Sequence, residues 1–176
     1  MTHPYDLSEQ TQAKQILSFN LGSEAYGISI DSVREVLEYT SITRIPKTPE
    51  FMRGVINIRG SVVPVIDLRL EFGMPSVEPT IATSIIITEV RCEERISLIG
   101  VLVDSVQQVL DLPVESLAEA PPMGNRIRTD FIAHVARVDD SFLIVLDMDS
   151  VLSKEQLQDV ARNAEPVETD RIAEPA

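Results

Sequence analysis

The sequence predicts an all-β protein built as two small β-barrels. Three observations carry this. The apolar runs are short, β-rich and separated by turn residues. Two ordered blocks of the chain resemble each other, as a duplicated unit would. No apolar run reaches the roughly 18 residues of a membrane span, while 44% hydrophobic residues supply a core.

The elements follow in order. Ile16 to Leu21 and Ala25 to Ile30 form a hairpin around Gly22-Ser23-Glu24. Asp31 caps a short helix through Leu37, because Val33, Val36 and Leu37 fall at helical spacing. Pro46 and Pro49 punctuate a loop. Gly54 to Ile58 and Ser61 to Leu68 are strands around Arg59-Gly60. Gly73 to Thr80 is a linker. Ile81 to Val90 and Ile96 to Val103 form a second hairpin. Pro113, Pro121, Pro122 and Gly124 mark a longer loop. Phe131 to Val138 and Ser141 to Leu146 form a third hairpin, and a helix is expected over 149–162. The first 14 residues read as a flexible tail, and the acidic, Pro-bearing segment 163–176 as disordered.

The repeat aligns Gly27 to Tyr39 with Gly100 to Leu112, six of whose thirteen positions are identical. Phe51 to Leu68 then aligns with Phe131 to Met148, matching at Val55/Val135, Ser61/Ser141 and Asp67/Asp147. The blocks keep their order at offsets of 73 and 80 residues, so two similar lobes are expected, over about 15–74 and 80–152. The repeat also isolates differences. Arg59 stands where the second half has Asp139, and a turn does not require arginine. Gly54 stands where the second half has His134. The fold is thus expected to accept a side chain there, leaving close approach of a partner as the reason for the glycine.

The net charge of -13 disfavours a phosphate backbone as partner. Basic residues are segregated, however. Arg44, Lys47, Arg53, Arg59 and Arg69 against Glu50 and Asp67 make the stretch 44–69 net +3 and the remainder -16. This reads as an electropositive patch for a protein partner, or as scattered bases on a solvated surface. Aromatics that would stack on bases do not interleave with it.

Catalytic constellations are missing. Cys92 lies at a charged hairpin tip and reads as an incidental surface thiol; one cysteine makes no internal disulfide. His3 and His134 make no His-rich metal site, and His134 reads as a strand residue of the core or an interface. Asp67 and Asp147, at equivalent positions, read as caps. Asp139-Asp140 and Asp147-Met148-Asp149 lack the Gly and Glu of a calcium loop. No cofactor is expected. Met1 to Gln10 is polar and acidic rather than a signal peptide, so a reducing cytoplasm is expected. Protein binding remains, with Val33 and Val36 expected partly exposed beside Glu35 and Arg59.

Glu24 to Val36, Thr43-Arg44-Ile45-Pro46, and Phe51 to Phe72 with Asn57-Ile58-Arg59-Gly60 and Pro64-Val65-Ile66-Asp67-Leu68 resemble CheW, the family of chemotaxis coupling proteins. Gly100 to Asp104 resembles the family's second-half motif, and the likeness covers about residues 15 to 160. The resemblance implies two five-stranded, SH3-like barrels on a shared core, with strand exchange between lobes allowed. It implies no enzymatic activity and a bridging role. The partners would be the cytoplasmic tips of methyl-accepting chemotaxis receptors and the regulatory domain of the histidine kinase CheA, in arrays beneath the membrane. By motif, Val33, Glu35, Val36, Gly54 and Arg59 would face the receptor or kinase. The second lobe, including Leu112 to Met123, would be a kinase-side candidate. The lack of a receiver domain speaks against the CheV type. Related adaptors serve pilus motility, and a barrel-type nucleic-acid binder is the distant alternative.

Overall fold

A computed structural model describes residues 13–92, 94–118 and 131–152, together with 156 and 160. Eleven strands run through them: β1 (Ala13–Leu21), β2 (Glu24–Ser29), β3 (Val33–Glu38), β4 (Met52–Ile58), β5 (Ser61–Asp67), β6 (Ser84–Cys92), β7 (Arg95–Val103), β8 (Ser105–Pro113), β9 (Leu117–Ala118), β10 (Ile132–Val138) and β11 (Ser141–Leu146). Two single-turn helices, α1 (Leu68–Glu71) and α2 (Met148–Val151), follow β5 and β11. Asp67 and Asp147 cap them as expected, each accepting a hydrogen bond from the backbone N–H two residues on.

The strands form two sheets. One has the order β8-β1-β2-β11-β10-β9 and the other β3-β6-β7-β5-β4. Exchanging each strand for its repeat equivalent converts the first five strands of one order into the other. The parallel pairings make this exact in register. Val145 opposes Gly27 where Val65 opposes Gly100. Gly27 and Gly100 are small because that junction is tight: a Cβ on Gly27 would lie 2.5 Å from Ile16 Cγ2, and one on Gly100 2.9 Å from Ile85 Cγ2. Each sheet therefore takes strands from both halves. The contiguous segments 15–74 and 80–152 are not the structural units; strands cross between them. The first sheet has six strands rather than five, because Leu117–Ala118 pairs with β10. Its counterpart in the other sheet is a single bridge between Thr43 and Val55.

The core follows this plan. Ile56, Val63, Val65, Ile85 and Ile87 fill the second sheet. Ile16, Leu112, Ala136, Leu143 and Val145 fill the first. The largest cluster joins both sheets through Phe19, Leu21, Ile28, Ile66, Leu68, Val101, Leu146 and Met148. Phe19, Tyr26, Phe72 and Phe131 extend it as a ladder with centroid spacings of 6.0, 5.6 and 5.0 Å. Burial, then the nearby Glu24, raises the Tyr26 phenol above its ordinary pKa.

Three expectations need correction. Asp31 to Leu37 is not a helix. Ser29 accepts a hydrogen bond from Asp31 N–H to start one 3-10 turn at Ile30–Ser32, and β3 follows. Pairing with β6 decides this: Val33 lies opposite Thr88, Val36 opposite Ile86 and Leu37 opposite Ile85. In the strand the side chains alternate between half-buried and exposed, which puts Val36 on the face opposite Val33 and Leu37. Ala13 and Lys14, expected in a flexible N-terminal tail, pair with Pro113 and Leu112 in β1, and residues 1–12 lie outside the described residues. Of the helix expected over 149–162, α2 supplies the first turn, and 156 and 160 are helical. Its other residues, the tail 163–176 and the side chain of Cys92 lie outside the described part. Among the described residues no helix is long and apolar enough to cross a membrane.

Candidate functional site

β3 is one edge of the second sheet and β4 the other. One ion pair spans the distance between them. Arg59, in the β4–β5 turn, donates to Glu35 Oε1 of β3 in an ion pair. The glutamate is half-buried and the arginine side chain is 74% exposed. The hydrogen bond it donates to Glu35 holds the Arg59 guanidinium above its already high pKa. Val36 stands 42% exposed beside this pair, whereas Val33 turns inward and packs on the central core.

The turn carries a second signal. Arg59 and Gly60 both have positive φ, 48° and 91°. This is the sense of a tight hairpin turn, where Asn, Asp and Gly are comfortable. The second half uses Asp139, at φ 56°. Arginine pays a backbone cost of about 1 kcal/mol there. What it supplies is the exposed guanidinium, so the side chain rather than the turn accounts for its presence.

Gly54 lies buried rather than on this face. Its φ is 145°, and a Cβ would stand 2.1 Å from the carbonyl oxygen of Thr43. Thr43 exchanges both backbone hydrogen bonds with Val55, at 2.9 and 2.8 Å. The close approach expected from the His134 comparison is real, but it comes from this chain's own residues 42 and 43. The crossing segment pairs at equivalent positions in the two halves, Thr43 with Val55 and Ala118 with Val135. Ala118 and Leu117 pair with Val135 and Ala136, and His134 lines an open groove.

The electropositive patch is dispersed. Arg53 pairs with the buried Asp67 at 2.9 Å, Arg69 with Asp104 at 2.9 Å, and Arg59 with Glu35. Among the described residues, Arg44 and Lys47 are the bases of that stretch without an ion pair. Three of the five bases are thus paired within the chain, two of them with Glu35 and Asp104, which lie outside the counted stretch.

Sequence reading missed the counterpart face on the first sheet. Val109 of β8, the repeat equivalent of Val36, is 48% exposed, and Phe142 of β11 is 64% exposed. The Arg137 guanidinium sits 6.0 Å above the Phe142 ring. Gln108 and Asp139 replace Glu35 and Arg59, and among the described residues these two positions form no ion pair. A groove of about 190 Å³ remains between Gln108, Val138 and Phe142. The exchange of Glu35 for Gln108 was visible in the repeat.

The model of the CheW-like domain matches residues 15–156. The chain belongs to the CheW family. The chemotaxis protein CheW of Klebsiella aerogenes is 35% identical over 151 residues, 86% of this chain and 89% of that one. CheW of Bacillus subtilis is 33% identical over 152 residues, 86% and 94% of the two chains. A solved structure, the scaffolding protein CheW of Thermoanaerobacter tengcongensis, superposes with a TM-score of 0.73 at 35% identity, covering 82% of this chain and 95% of its own. CheW proteins are non-enzymatic chemotaxis scaffolds.

Proposed function

We propose that this chain is the adaptor that couples methyl-accepting chemotaxis receptors to the histidine kinase CheA. The supporting observation is the exposed Arg59, held by Glu35 beside the exposed Val36. A small apolar patch beside a fixed charge is an economical docking surface, and a charge-assisted contact gives it orientation. Val33 and Gly54 serve this face from beneath. Val33 anchors β3 on the core, and Gly54 lets Thr43 cross β4. The kinase regulatory domain would take the first sheet's face, with the exposed Val109 and Phe142. Localisation in receptor arrays follows from the receptor contact. A nucleic-acid role is disfavoured because three of the five bases it would use are already paired.

The test separates the faces. A receptor-tip fragment and a kinase regulatory domain are titrated against Arg59→Ala and Phe142→Ala. The reading requires Arg59→Ala to weaken the receptor fragment and Phe142→Ala the kinase domain. If both variants bind both partners as the parent does, the assignment of faces is wrong.

A further inference from the structure

The two sheets meet at two junctions related by the repeat. At one, Arg69 forks onto Asp104: Nε to Oδ1 at 3.0 Å and Nη2 to Oδ2 at 2.9 Å. Gly22 N–H donates to the same carboxylate at 2.7 Å, and Arg69 Nη1 donates to the Pro75 carbonyl at 3.1 Å. The arginine and the segment 77–83 fill this junction, leaving a space of about 10 Å³ beside Asp67 and Leu102.

The other junction is a groove of about 330 Å³. The register shows what differs. Gly27 opposes Val145 as Gly100 opposes Val65. Four residues on from each, Asp31 is the equivalent of Asp104 and Asp149 the equivalent of Arg69. Asp147 and Ser29 correspond to Asp67 and Leu102. All four line the groove. The position that supplies a guanidinium at the closed junction therefore supplies a second carboxylate at the open one. Asp149 accepts one backbone hydrogen bond, from Arg91 N–H at 2.9 Å. Among the described residues Asp31 enters no ion pair. Lys14, Arg91 and His134 also line the groove, and Glu89 on its wall pairs with Arg34 at 2.6 Å.

We infer that this groove receives an arginine side chain from a partner protein, which sits between Asp31 and Asp149 as Arg69 sits on Asp104. The size fits an extended side chain with its flanking backbone. A planar guanidinium matches carboxylates in the way the closed junction already demonstrates. The groove shares no lining residue with the Val36–Arg59 face or the Val109–Phe142 face, so it is a third contact beyond the proposed coupling surfaces.

The test is a nuclear magnetic resonance titration of the full chain with a blocked Gly-Arg-Gly peptide and its citrulline counterpart, which keeps shape and loses charge. The expected result is saturable shifts at Ser29, Asp31, His134 and Asp149 with the arginine peptide, at least tenfold weaker with citrulline. Asp31→Asn with Asp149→Asn should weaken binding by tenfold or more while circular dichroism stays unchanged. Asp149→Arg, which rebuilds the closed junction within the chain, should abolish binding and raise the melting temperature. Equal shifts with citrulline overturn the inference, as do shifts confined to other acidic turns. Displacement of the chain's own residues 153–176 from the groove also overturns it, because the occupant would then be this chain.

Discussion

Glu35 of β3, one edge strand of the five-stranded sheet, pairs with Arg59 in the turn that follows β4, the other edge strand, although β3 and β4 share no ladder. Their pair is solvent-facing, so its weight in stability is small. Arg59 also occupies a left-handed position that asparagine tolerates better. Arg59→Asn is therefore expected to leave the urea midpoint unchanged or slightly raised, within about 0.5 kcal/mol. A loss beyond about 1 kcal/mol would make the ion pair a structural element.

Gly54→Ala should behave oppositely. The added methyl meets the carbonyl of Thr43, a residue held by two backbone hydrogen bonds to Val55, in a backbone conformation that L-residues rarely adopt. A loss of roughly 2–4 kcal/mol is expected. Equilibrium urea unfolding measures it. Parental stability would mean that Thr43 moves aside freely.

Asp104 carries the acid sensitivity of the closed junction. The hydrogen bond from Arg69 lowers its pKa below the ordinary carboxylate value, with a further contribution from Gly22 N–H. A lowered folded pKa contributes stability above the unfolded value of about 3.9, and that contribution is lost as pH falls through the folded value. Asp104→Asn should then cost about 1–2 kcal/mol at pH 7. The gap to the parent should narrow from about pH 4 downward. A gap independent of pH would show that the charge of Asp104 contributes nothing.

Because both sheets draw strands from both halves, neither half can complete a sheet alone. Chains cut between Val77 and Glu78, in the exposed linker, should co-purify when expressed together. Each fragment alone should lack cooperative unfolding. A first fragment that unfolds cooperatively by itself would contradict the interleaved assembly.

The repeat was legible because it lies in local identities such as Asp67/Asp147 and Gly27/Gly100, which the structure uses as caps and tight junctions. Hairpins were legible for the same reason: turn chemistry is local. The strand β3 was not, since Val33, Val36 and Leu37 sit at helical spacing, whereas the strand formed by pairing with β6 leaves Val36 exposed on the face away from Val33 and Leu37. The partner of Gly54 was hidden because a crossing carbonyl eleven residues earlier leaves no mark on the glycine's own neighbourhood. Arg59 stood out correctly as dispensable to its turn. Its partner Glu35, and the neutralisation of Arg53 and Arg69, depend on contacts across the sheets that no charge count along the chain contains.

The central claim is that β3 and the β4–β5 turn form a docking face whose loss leaves the fold intact. The most direct measurement is calorimetric titration of Arg59→Ala with a receptor-tip fragment, beside thermal unfolding of the same sample. The account predicts binding weakened by at least tenfold, in line with the roughly 2–5 kcal/mol cost of removing an interfacial hydrogen-bonded charge, and an unchanged melting temperature. Parental affinity, or a melting temperature that falls with the affinity, would contradict it.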